Sequence, residues 1–67
     1  MSVARVTEII SSSNKSFEDA IAKGIARAVT TLKNVEGAWV KEQKVTVKNG
    51  KIVEYRVDLK VTFILND

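Results

Sequence analysis

The chain has 67 residues, no Cys, no His, and a net charge of +3 with Lys and Arg scattered among Asp and Glu. This composition excludes disulfide staples, thiolate and imidazole metal sites, and the commonest general base. It also argues against a nucleic-acid surface, which concentrates its basic residues on one element.

A single domain over residues 1–67 is expected. A chain this short buries only ~60% of its unfolded surface, so oligomerisation is the remaining route to stability. No stretch approaches the ~20 apolar residues of a membrane span, and the first residues do not read as a signal peptide. The expectation is a soluble cytoplasmic protein that binds neither nucleic acid nor membrane.

Residues 3–10 read as a first strand, with Val6, Ile9 and Ile10 as its core contacts. Residues 11–14, Ser-Ser-Ser-Asn, read as a loop of side chains that hydrogen-bond their own backbone. A helix opens after Ser16, whose spacing to Asp19 resembles a capping box, and Glu18 and Asp19 place negative charge at the positive end of the dipole. Phe17, Ala20, Ile21, Gly24, Ile25, Ala28 and Leu32 recur at helical spacing as the inner face of a helix of about 19 residues ending near Asn34. Gly24 costs roughly 1 kcal/mol against Ala in mid-helix, which close approach to a sheet would offset. Ala22, Ala26 and Val29 form a second stripe suited to contact with another subunit.

Residues 37–48 read as the second strand. Asn49-Gly50 then signals a type I′ hairpin turn. In residues 51–65 the odd positions from Val53 to Leu65 are all apolar, and the even ones are polar except near the ends. A period of two over this length is an extended strand with one apolar face. It would run roughly 50 Å against roughly 28 Å for the helix, which leaves part of the face bare. An exposed apolar face of that size marks an interface, here self-assembly. The order β-α-β-β implies an α+β fold: a three-stranded antiparallel sheet of order 1-3-2 wrapped on one helix.

No catalytic constellation is present, and the chain reads as a non-enzyme. Glu54 and Asp58 are on one strand face but ~13 Å apart, too far for a carboxyl dyad; they read as partners for Lys or Arg. Trp39, on a face read as shared with Gly37, Lys41 and Gln43, is either an interface anchor or a platform for a planar ligand. Arg56 either grips an anion or pairs with a carboxylate such as Glu42 or Glu54 across an interface.

The chain resembles the dodecins over essentially its whole length. The resemblance rests on Val6-Thr7-Glu8-Ile9-Ile10 with its Ser-rich exit, Ser16-Phe17-Glu18-Asp19-Ala20, Ala26-Arg27-Ala28 followed by Thr31-Leu32-Lys33-Asn34, Val40-Lys41-Glu42-Gln43, and Gly50-Lys51-Ile52-Val53-Glu54-Tyr55 leading into Leu59-Lys60-Val61-Thr62-Phe63. It implies a hollow spherical homododecamer that stores or sequesters a small molecule or ion. Many dodecins stack flavins between Trp side chains of neighbouring subunits, with a Gln on the last strand bonding the ring edge. The Trp position is Gly37 here, and the Gln position is Arg56. Glu42 stands where a carboxylate near the ribityl chain is expected. The chain is similar to a branch that lacks the Trp and Gln and has been described as calcium-binding.

The candidate ligand-binding residues are thus Gly37, Trp39, Glu42, Gln43 and Arg56, with no metal ligand assigned. The expected ligand is a divalent cation, calcium or magnesium, or another small molecule, ahead of a flavin. The alternative is storage of riboflavin or FMN with Trp39 as the stacking platform.

Overall fold

The structure, a computed structural model, describes residues 3–65. The elements are β1 (Ala4–Ser13), α1 (Phe17–Ala28), β2 (Val35–Lys48) and β3 (Lys51–Ile64). β3 lies between β1 and β2 and pairs antiparallel with both, the 1-3-2 order expected. Asn49 and Gly50 both have positive φ, 52° and 74°, as the type I′ turn requires.

α1 starts where its sequence says. The Ser16 hydroxyl accepts from the Asp19 N–H at 3.0 Å, and Asp19 accepts from the Ser13 hydroxyl at 2.5 Å and pairs with Lys23 at 3.1 Å. Those two contacts hold the Asp19 carboxyl below its ordinary pKa, the Ser13 bond first. The helix ends well before Asn34. Val29, Thr30 and Thr31 lose side-chain freedom in a helix, and the Thr30 and Thr31 hydroxyls turn back onto the carbonyls of Arg27 and Ala28. Thr30 N–H likewise tightens onto Arg27 O at 3.2 Å, and the chain leaves through Asn34 at a φ of 61°. With 12 residues, α1 is about 18 Å long, shorter than expected.

β1 is longer than expected and turned the other way. It runs through Ser11, Ser12 and Ser13, which are strand and not loop. Pairing puts Thr7, Ile9, Ser11 and Ser13 opposite Val61, Leu59, Val57 and Tyr55, on the helix side. Val6 and Ile10 therefore face outward, 45% and 66% exposed, and only Ile9 of the three expected contacts joins the core. A strand that turns Ser and Thr inward hides its own alternation.

The buried apolar residues among those described are Ala20, Ala28, Val57, Leu59 and Val61. Ile9, Phe17, Ile21, Ile25, Leu32 and Val35 pack around them. Gly24 sits so near β3 and β1 that a Cβ there would lie 2.9 Å from Leu59 Cδ1 and 3.0 Å from Ser11 Cβ. Phe17 closes one end of the core edge-on against Tyr55, ring centroids 5.2 Å apart.

α1 lies over β1 and β3 and hardly touches β2. Because β1 stops opposite Tyr55, the hairpin beyond that point is a two-stranded ribbon with nothing beneath it. Val47, Ile52 and Val53 at its tip are exposed. A groove of about 350 Å³ between α1 and β2 is lined by Ile21, Ile25, Val29, Ala38, Val40 and neighbours.

Candidate functional site

Face assignments on β2 follow from its bulges. Val40 opposes Leu59 while Glu42 opposes Asp58, so Lys41 is an extra residue and the alternation changes phase there. Opposed residues share a face. Gly37, Trp39, Glu42, Lys44 and Thr46 therefore lie on the outer face with Thr62, Lys60, Asp58, Arg56 and Glu54. Gln43 opposes Val57 and lies on the helix side, away from Trp39. The expected common face of Trp39 and Gln43 is thus wrong, because simple alternation takes no account of the Lys41 bulge.

The four remaining candidates are strung along the outer face. Gly37 opposes Thr62 and Lys44 opposes Arg56, so Gly37 and Arg56 are about 20 Å apart along β3. No single copy brings them together. A Cβ on Gly37 would meet nothing within 4 Å. Trp39 is 51% exposed, with the Lys60 ammonium 6.0 Å from its ring centroid. Glu42 and Arg56 share a shallow cleft of about 200 Å³ with Ile10, Lys44 and Asp58. The Arg56 guanidinium is held by Glu54 of its own strand at 3.0 Å, and Glu54 also accepts from Thr46 at 3.4 Å.

Asp58 is not the partner of a Lys or Arg that its charge implied. Glu42 stands opposite it on β2, and Glu8 is a diagonal neighbour on β1, directly opposite Lys60. The Lys41 ammonium goes to Glu8 at 3.5 Å. Sequence reasoning missed Glu8, since only the β1–β3 register reveals that it faces Asp58. Among the described residues no three His, Cys, Asp or Glu side chains converge as a metal site. Among the described residues no helix is long and apolar enough to cross a membrane.

A sequence model of the dodecin family matches residues 3–66. The calcium dodecin of Mycobacterium tuberculosis is 36% identical over 63 residues, covering 94% of this chain and 89% of that protein. The dodecin of Thermus thermophilus is 34% identical over 65 residues, covering 97% and 94%. Among solved structures, the dodecin of Streptomyces davaonensis superposes with a TM-score of 0.93 at 35% identity, covering 98% of this chain and 97% of that one. A crystal structure of the M. tuberculosis protein, described as calcium chelating with a novel calcium-binding site, has a TM-score of 0.81 at 37% identity, covering 96% and 91%. The chain belongs to the dodecin family. Sequence identity does not separate the two kinds of relative, while the backbone is nearer the S. davaonensis shape.

Proposed function

We propose that this chain is a non-enzymatic binding protein that assembles as a hollow dodecin-type homododecamer and sequesters a small molecule or ion. The observation that carries the assembly is the uncovered apolar surface: the α1–β2 groove, and the ribbon tip where Val47, Ile52 and Val53 are exposed. A two-stranded ribbon is marginal alone and needs a covering layer. Further copies of the chain supply it in this reading, and the exposed stripe of Ala22, Ala26 and Val29 meets them.

The residues do not fit the flavin site that the resemblance implies. Gly37 offers no ring to stack on, and Arg56 offers donors only, already engaged by Glu54, where Gln would offer a donor and an acceptor. Trp39 lies on the same face as Gly37 and is open to solvent, which keeps a second reading: a flat cofactor stacked from a different direction. A cation, the class suggested by the name of the M. tuberculosis relative, would be held between copies, since no cluster forms within the described residues of one.

Light scattering is expected to give about twelve times the 7.4 kDa chain mass; a stable folded monomer would end the reading. The purified protein should be nearly colourless. Riboflavin titrated against it should keep its fluorescence, and quenching with a Kd below about 1 μM, some −8 kcal/mol, would favour the Trp39 alternative.

A further inference from the structure

Among the described residues, one buried side-chain oxygen has no hydrogen-bond partner. Asp58 Oδ1 is buried and receives no hydrogen bond. Such an atom is costly unless something donates to it or it carries a proton itself. Asp58 occupies the middle of the central strand, where its outer-face surroundings are fixed by pairing with both neighbours. From β1 it faces Ile10 directly and Glu8 diagonally; from β2 it faces Glu42 directly, with Lys41 and Lys44 to either side. Lys60 and Arg56 are its same-face neighbours on β3. The ammonium that acts on it, Lys41, is bound to Glu8. Three carboxyls thus cross the three strands in a row, and the cation among them serves one end. Like charges side by side on adjacent strands destabilise a sheet.

We propose that Glu8 and Asp58 form a proton-binding site on the outer face of the sheet, holding one proton between them and releasing it as the surroundings become less acidic. The proton resides on Asp58, whose hydroxyl donates to the Glu8 carboxylate, while Lys41 keeps Glu8 ionised. This satisfies the Asp58 carboxyl and removes one of three adjacent negative charges. The Asp58 pKa is raised, first by the hydrogen bond to Glu8, then by burial and the Glu8 and Glu42 charges. The Glu8 pKa is lowered, first by the bond to Asp58 and then by Lys41 and Lys60 against burial.

The sign follows. A raised Asp58 pKa contributes stability that is full below the unfolded value and is lost as pH rises through the folded one. A lowered Glu8 pKa contributes stability present above its unfolded value and lost as pH falls through the folded one. The singly protonated pair is therefore the favoured state between the two. Its deprotonation sets Glu8, Asp58 and Glu42 against each other where β3 joins β1 and β2. The site lies within one copy and does not depend on what the shell holds.

The test measures the thermal midpoint of the assembled protein against pH for the native chain, Asp58→Asn and Glu8→Gln. Infrared spectra of native protein carrying ¹³C-labelled Asp are recorded over the same range. The native protein should lose stability as pH rises through the window, with a slope of up to about one proton per chain beyond that of Asp58→Asn. Asp58→Asn should remove that slope, because its amide donates to Glu8 at every pH. A protonated-carboxyl band should persist in the native protein to a pH above that of a solvated Asp, shift with the label, and disappear in Asp58→Asn. Should that variant not fold, the labelled native spectra and Glu8→Gln still decide. No such band, or a slope untouched by Glu8→Gln, overturns the proposal. So does loss of the band on adding millimolar Ca²⁺, which would make the row a cation site.

Discussion

At the scale of single residues, the tightest constraint is the gap under Gly24. Helix propensity alone favours Ala there by about 1 kcal/mol. Yet a Cβ would press into Leu59 Cδ1 at 2.9 Å and Ser11 Cβ at 3.0 Å, both inside the core layer. Overpacking of this kind costs about 1–3 kcal/mol. Gly24→Ala is therefore expected to destabilise by up to about 2 kcal/mol net, read as a lowered denaturant midpoint at unchanged slope; an increase would mean that α1 can lift off the sheet freely. The role of Gly24 was legible from its place on the inner helix face. The partnership of Glu8 and Asp58 was not, because it rests on a register that no local pattern carries.

At the scale of elements, the alternation of β3 and the turn at Asn49-Gly50 sufficed for the topology. A strand with one fully apolar face must lie under the helix, and a strand that serves both neighbours must lie between them. What sequence did not disclose are the interruptions. α1 loses its last turns to Val29, Thr30 and Thr31, although Leu32 keeps the apolar spacing and packs on the core from beyond the helix. β1 turns Thr7, Ser11 and Ser13 to the helix side, with Ser13 buried and the other two half-buried, so its inner face looks polar. On β2, the Lys41 bulge alone puts Trp39 and Gln43 on opposite faces, and it dissolved part of the expected site. Deleting Lys41 would remove the extra residue and leave Val40 opposite Leu59 and Glu42 opposite Asp58, so every other side chain keeps its face while the bend of the bulge and the Lys41–Glu8 pair are lost. A folded chain with a lowered thermal midpoint is expected, checked by circular dichroism. An unchanged midpoint would show that the bend and the ion pair contribute nothing to stability.

At the scale of the whole molecule, one copy is an open shape. Its radius of gyration is 13.8 Å, against about 11 Å for a compact domain of this length. It measures 51 × 19 × 13 Å and exposes 5002 Å², where about 4200 Å² is usual for this mass. The hairpin that Asn49 and Gly50 close contributes to the surplus, with Val47, Ile52 and Val53 exposed near its tip. That turn also has a kinetic meaning. Its two strands are contiguous in the chain, so they can pair on the ~1–10 μs scale of hairpin closure, before β1 arrives from the far end. The earliest ordered species would then be a ribbon with two bare edges, a template for pairing with any other strand. Whether it meets β1 or a stranger is a race between a unimolecular step and a bimolecular one. Refolding from denaturant should accordingly show a fast phase independent of concentration and a slower one that accelerates with it, followed by Trp39 fluorescence. Recovery of soluble protein should pass through a maximum as concentration rises; a single concentration-independent phase with full recovery would show that the monomer completes itself before copies meet.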